Sequence, residues 1–231
     1  MQTAKHILAH LHSLENKANQ AGMKRFAIGN DNTLGISLPV LREISKSLKK
    51  QNDRHVLAKT LWKSNIHEAM ILASMLADPK QFSAEEMDSW THQFYSWDLC
   101  DQVCTNLFHK TPYYLEKAFA YSYHSEEFVK RCGFVLMVQY TVHHKKESDE
   151  MCLQFLKRIE EEAGDERNFV KKALNWCLRQ IGKRNAFLHP HALAAAHRIL
   201  TQGSRSARWI ANDAIRELES EAIIQRLGLK P

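Results

Sequence analysis

The chain has 231 residues, 32 Lys and Arg against 26 Asp and Glu, a formal net charge of +6 and 44% hydrophobic residues. These are globular values, and they exclude a chain that is disordered throughout. Gly and Pro together number 13, about half the average share, which excludes a fold built on many tight turns and points to helices.

In chain order, apolar period and start signals predict helices over 3–21, 39–50, 53–63, 66–77, 83–95, 97–109, 112–121, 126–142, 148–162, 166–183, 189–202 and 206–218. Ser83 with Glu86 forms a capping box, and Pro39, Pro112 and Pro190 sit where a first helical turn tolerates proline. Connections are short except for 22–38, which holds Gly22, Gly29 and Gly35 and the polar run Asn30–Asp31–Asn32–Thr33. No low-complexity linker interrupts the chain, so residues 1–231 are expected to form one domain. Short helices joined by short loops predict an all-α fold, an α-α superhelix of the HEAT or armadillo solenoid type, with a compact bundle as the competing architecture.

The first residues are amphipathic, with Ile7, Leu8, Leu11 and Leu14 on one face, and do not read as a secretory leader. No apolar run approaches the roughly 18 residues of a membrane span. The five cysteines lie within apolar helical patterns. The expectation is a reduced, cytoplasmic protein, nucleoid-associated if the source is bacterial, with no membrane partner.

Charge and aromatic placement single out three places. Residues 167–184 carry Arg167, Lys171, Lys172, Arg179, Lys183 and Arg184 and no acid. At 100° per residue, Val170, Leu174, Cys177, Leu178 and Ile181 form a core stripe, whereas Phe169, Lys172, Trp176, Arg179 and Lys183 fall on an arc about 80° wide away from it. Alone, Trp176 would be read as packing on a neighbouring helix. Beside so many cations it reads as part of a nucleic-acid surface, where cations hold phosphates and the aromatic ring offers a stacking face. In the helix starting at Trp97, the pair Trp97 and Asp101 is spaced i, i+4 and lies off the stripe of Leu99, Cys100, Val103 and Leu107, as does Phe108. An Asp in this position also suits a helix cap or an ion pair with a nearby Lys. Arg131 is the third, set among Phe128, Phe134 and Val135 on a helix that is apolar nearly all round. A guanidinium there needs an anion, either an internal carboxylate or an incoming phosphate. The 13 histidines show no zinc spacing, and His143, His144, His189 and His191 read as surface or loop positions. No Gly-rich phosphate loop or nucleophile elbow is present, which argues against nucleotide hydrolysis and serine chemistry.

Four collinear blocks carry a resemblance: Leu34–Gly35–Ile36–Ser37–Leu38–Pro39 leading into Leu41–Arg42; Ser96–Trp97–Asp98 followed by Asp101; Val129–Lys130–Arg131 opening an apolar helix that runs to Gln139–Tyr140; and Phe169–Val170–Lys171–Lys172–Ala173–Leu174–Asn175–Trp176 followed by Leu178–Arg179. The chain resembles the AlkD-like DNA alkylation repair family of HEAT-repeat N-alkylpurine DNA glycosylases. By position, the resemblance implies Asp101 as catalytic carboxylate, Trp97 and Trp176 as the tryptophans of the catalytic cleft, and Arg131 as a phosphate-facing cation. From the placement of charge and aromatics, DNA contacts are expected from Lys130, Phe169, Lys171, Lys172, Arg179 and Lys183, with Arg131 in the same groove, and the resemblance adds Phe26, which stands where the family often has a Tyr beside a backbone-contacting loop. The implied activity is excision of cationic N3- or N7-alkylated purines from double-stranded DNA, by a monomer with no metal, cofactor or nucleotide. Some relatives lack the catalytic Asp, so a non-catalytic module binding DNA structures or proteins is the alternative.

Overall fold

The computed structural model describes residues 2–29 and 31–229, so Asn30 of the polar run lies outside the described residues. Among these, all regular structure is helical. The chain divides into two compact units, 1–114 and 115–231, and each is described by itself.

The first unit holds α1 (Ala4–Ser13), α2 (Lys17–Arg25), α3 (Leu38–Leu48), α4 (Arg54–Trp62), α5 (His67–Leu76), α6 (Ala84–Thr91), α7 (Trp97–Asn106) and a 3-10 turn at Phe108–Lys110. The single helix expected over 3–21 is two helices. The first ends at Ser13 with Leu14 as its C-cap, and Asn16 starts the next: its side chain accepts from the Asn19 N–H, and its own N–H goes to the carbonyl of Leu34 at 2.8 Å. The expected capping box at Ser83 and Glu86 is present with both bonds made.

The centre of this unit is α5, buried at all ten positions, against which α3, α4 and α7 pack. Aromatic rings fill the space beyond it. Trp62 and Trp90 stack at 3.8 Å between centroids, and Phe82 meets Trp90 edge-on. Phe108 joins this cluster fully buried, which corrects its placement beside Trp97. Helix α7 ends at Asn106, so the 100° projection does not reach Phe108.

A buried carboxylate organises the segment before α3. The Glu68 side chain on α5 accepts the backbone N–H groups of Leu34 (2.8 Å), Gly35 (2.6 Å) and Ile36 (3.2 Å). Glu68 is 1% exposed, so its charge is compensated by three amides rather than by water. Gly35 has φ +78°, and a Cβ there would lie 2.3 Å from the carbonyl oxygen of Asn16; both facts require glycine.

The second unit holds α8 (Tyr114–Ser122, its first residue on the boundary), α9 (Glu127–His143), α10 (Asp149–Glu162), α11 (Asn168–Gly182), α12 (Leu188–Leu200), α13 (Arg205–Leu218) and α14 (Glu221–Leu227). Helix α9 is buried from Val129 to Thr141. Gly133 lets α9 approach α8, since a Cβ there would lie 2.5 Å from the backbone N of Ser122. Helices α9, α11 and α13 pack in succession as one layer, and α10 with α12 as another. Alternation of this kind is what stacked helical pairs produce, each pair burying its apolar face on the next. All five cysteines are buried, and none forms a disulfide. No helix among the described residues is long and apolar enough to cross a membrane.

Replacing Glu68 by Ala leaves three amides without their acceptor in an apolar interior. We expect a loss of about 3 kcal/mol or more, at 1–3 kcal/mol for each unsatisfied group. Urea denaturation should report it, and hydrogen exchange should show the amides of Leu34, Gly35 and Ile36 losing protection first.

Candidate nucleic-acid interface

In the first unit, Trp97 opens α7 and Asp101 follows one turn later; both are half-buried, off the buried stripe of Leu99, Cys100, Val103 and Cys104. The Trp97 indole N–H donates to the backbone carbonyl of Phe26 at 2.8 Å. Phe26 follows the last turn of α2 and is 68% exposed. Trp97, Asp101 and Phe26 therefore belong to one neighbourhood, with the indole oriented by a backbone acceptor. An open, mostly apolar cleft of about 340 Å3 lies beside the Phe26 ring, between Ala18, Met23, Ile28 and Ile36.

The start of α7 is fixed from below by a residue that local sequence pattern does not single out. His67, fully buried in the first turn of α5, has Nε2 at 2.8 Å from Asp98 Oδ2 and Nδ1 at 2.9 Å from the Tyr95 hydroxyl. Burial pushes the Tyr95 phenol well above its ordinary value of 10.0, and the carboxylates of Asp98 and Glu68 add to the effect. Tyr95 thus stays protonated and able to donate. His67 and Glu68 head the run Ala69–Ala77 and are buried with it, although their order in the sequence is also that of a solvated helix start.

In the second unit, Trp176 lies on α11 off the stripe of Val170, Ala173, Leu174, Cys177, Leu178 and Ile181 and is half-buried, as the helical projection expects. Helix α11 begins without a side-chain cap of its own. Helix α9 supplies one: Glu127 Oε1 accepts the Phe169 N–H at 3.1 Å, and Arg131 donates to the Phe169 carbonyl at 2.6 Å. The Phe169 ring stacks on Phe128, with centroids 5.6 Å apart. Arg131 is 5% exposed, and one group it holds is a backbone carbonyl on the helix that carries Trp176.

The basic residues divide by their partners. Lys130, 8% exposed, pairs with Glu162 at 2.6 Å and with Asp165 at 3.4 Å. Arg179 and Lys183 both pair with Glu217 on α13, and Arg179 also faces Asp213. Lys171 stands over the Trp209 ring at 5.6 Å. Lys172 is exposed, and it and Lys171 form no ion pair among the described residues. The positive face of α11 is thus partly neutralised from within. His189, expected at the surface, is 4% exposed, with Nδ1 at 3.1 Å from the Gly182 carbonyl.

These acids titrate low. Burial alone would raise the carboxyls of Glu162 and Glu217, but hydrogen bonds from Lys130 and Arg158 to the first, and from Lys183 and Arg179 to the second, outweigh it. Burial opposes and Arg167 outweighs it at Asp165.

The alternation of packed helices makes the protein a HEAT-like helical-repeat protein. A solved structure representing a new family of proteins related to the HEAT-like repeat DNA glycosylases, with affinity for branched DNA structures, shares the fold with a TM-score of 0.78. The match covers 99% of this chain and 97% of the other at 18% identity. The family model for DNA alkylation repair enzymes matches residues 7–218, and the chain belongs to that family. No curated protein matches the sequence.

Carboxyls held below their ordinary 4.5 stabilise the fold at any pH above that value and lose this contribution as pH falls through the lowered values. The stability of the second unit should therefore be flat above about pH 5 and decline below about pH 4. Glu162→Gln should cost about 1.5–3 kcal/mol at neutral pH, the range for hydrogen bonds to charged groups, and reduce the acid dependence; denaturation across pH measures both.

Proposed function

We propose that the protein is a DNA glycosylase that hydrolyses the N-glycosidic bond of purines alkylated at N3 or N7 in double-stranded DNA. The observation that carries the reading is the half-buried Trp97–Asp101 pair on the face of α7 away from its core stripe, with the indole bonded to the Phe26 carbonyl and the start of the helix held by the bond between Asp98 and His67, in a member of a family of DNA alkylation repair enzymes.

Alkylation places a positive charge on the purine. When the bond from the sugar breaks, the electron pair leaves with the base, which departs neutral and needs little acid catalysis. The positive charge passes to the sugar, and water adds to the anomeric carbon and loses a proton. Asp101 stabilises the cationic sugar electrostatically and orients the water, so that its contribution grows as charge develops. The Trp97 indole, on the same helix as Asp101, offers its electron-rich face to that charge and excludes bulk water, and the Trp176 indole is assigned to present a like face to the DNA from α11. Phe26, Phe169 and the cations Lys171, Lys172, Arg179 and Lys183 are assigned to the DNA backbone, with Lys171 and Lys172 carrying the largest share because they form no ion pair among the described residues, while the buried Lys130 and Arg131 support this face from within. No metal or cofactor enters this scheme.

Single-turnover release of N7-alkylguanine or N3-alkyladenine from duplex DNA tests the reading. Asp101→Asn keeps the shape and removes the charge; excision should fall by about 10²–10³, the effect of removing one electrostatic stabiliser, while DNA binding is kept or improved. Unchanged excision in the variant removes Asp101 from the mechanism. The structural neighbour's affinity for branched DNA favours a second reading, a non-catalytic module that binds such junctions. Absence of any release by the wild type, with tighter binding to branched than to linear DNA, would establish that alternative.

A further inference from the structure

A cleft in the first unit, lined by none of the residues assigned above, carries charge that the fold does not neutralise. It has a volume of about 350 Å3 and lies between α3, the start of α4, the segment after α5 and the end of α7. Arg42 and Lys49 come from α3 and its C-terminal end, Arg54 opens α4, and Lys110 ends the 3-10 turn, while Met75 and Ala77 form a buried apolar floor.

Four cations meet one acid. Asp78 pairs with Arg54 at 3.0 Å, and another nitrogen of the same guanidinium donates to the Leu76 carbonyl at 2.6 Å, so Arg54 is held in place. Lys110 donates to the Asn106 carbonyl at 2.6 Å, a neutral partner. Arg42 and Lys49 form no ion pair among the described residues. The crowding has a titration signature: burial lowers the Lys110 ammonium below its ordinary 10.5, and the Lys49 charge lowers it further. Cations gathered around an apolar floor repel one another, and an anion that enters converts that repulsion into attraction. The ammonium groups of Lys49 and Lys110 suit a compact, highly charged anion, and the fork of Arg42 adds paired donors for its oxygens.

We propose that this cleft is a binding site for a phosphate group. The phosphate comes either from the backbone of bound DNA or from a small phosphorylated molecule. The site does not depend on base excision and stands whether or not the protein is a glycosylase.

The test uses the full chain, its Lys49→Gln/Lys110→Gln variant and a Lys49→Arg/Lys110→Arg control. Both lysines are exposed, so the substitutions spare the core. Two quantities are read: the dependence of affinity for an unmodified duplex on salt between about 50 and 200 mM, and the rise in melting temperature given by inorganic pyrophosphate. If the phosphate belongs to DNA, the slope of log affinity against log salt becomes shallower by about 1–2 in the Gln variant, at about 0.9 for each phosphate that is no longer neutralised, and is restored in the Arg control. If it belongs to a small molecule, the slope is unchanged, and pyrophosphate stabilises the wild type and the Arg control but not the Gln variant. Either result supports the site. Equal behaviour of wild type and Gln variant in both measurements overturns it, as does an Arg control that behaves like the Gln variant.

Discussion

One buried carboxylate sets the surface of the first unit. Glu68 gathers the amides of Leu34, Gly35 and Ile36, and the same segment receives the N–H of Asn16 through the Leu34 carbonyl and the side-chain amide of Asn19 through the Gly35 carbonyl. These bonds fix α2, whose end presents the Phe26 carbonyl to the Trp97 indole. The residue before Glu68, His67, holds Asp98 at the start of α7. Two adjacent side chains on α5, about 100° apart around the helix, thus position both sides of the Trp97 neighbourhood. An ion inside an apolar unit is costly unless all its bonding capacity is used. The stringency of that requirement makes Glu68 a structural determinant: it tolerates one backbone path for 34–36, and that path requires glycine at 35.

The second unit solves a different electrostatic problem. Its cations are numerous, and much of their charge is neutralised internally, by Glu162 and Asp165 for Lys130 on α9 and by Glu217 for Arg179 and Lys183 at the end of α11. Such pairs tie neighbouring helices together and limit the repulsion that a wholly open basic face would carry. They also separate the two duties of the basic residues. Arg131, with Glu127, supports the first turn of α11 through both backbone groups of Phe169, while Lys171 and Lys172 keep their charge available at the surface.

Features that depend on local periodicity are legible in the sequence. The helical class, the capping box at Ser83, and the placement of Trp97, Asp101 and Trp176 off their core stripes all follow from residue spacing, because a helix repeats its geometry every few residues. Arg131 is legible as an anomaly, but its bond to the Phe169 carbonyl is not, since that group is 38 residues away in sequence. Glu68 and His67 escape notice for the same reason: their roles depend on bonds spanning about thirty residues, and nothing in the local pattern separates a buried head of a helix from a solvated one. The break at Asn16 is hidden because its cause, the Leu34 carbonyl, lies across the same long connection. Helix α14 is short, and only Ile223 is buried in it, which leaves little periodic signal.

As proposed, Asp101 recognises positive charge on a sugar rather than merely completing a helix face. Equilibrium binding isolates it without turnover. A duplex carrying a protonated pyrrolidine in place of one sugar mimics the cation, and the neutral tetrahydrofuran duplex is its control. The wild type should prefer the cationic duplex by about tenfold or more, which is about 1.4 kcal/mol, and Asp101→Asn should lose this preference while keeping its affinity for the neutral duplex. Equal affinity of the wild type for the two duplexes, or a preference that survives in Asp101→Asn, would contradict it.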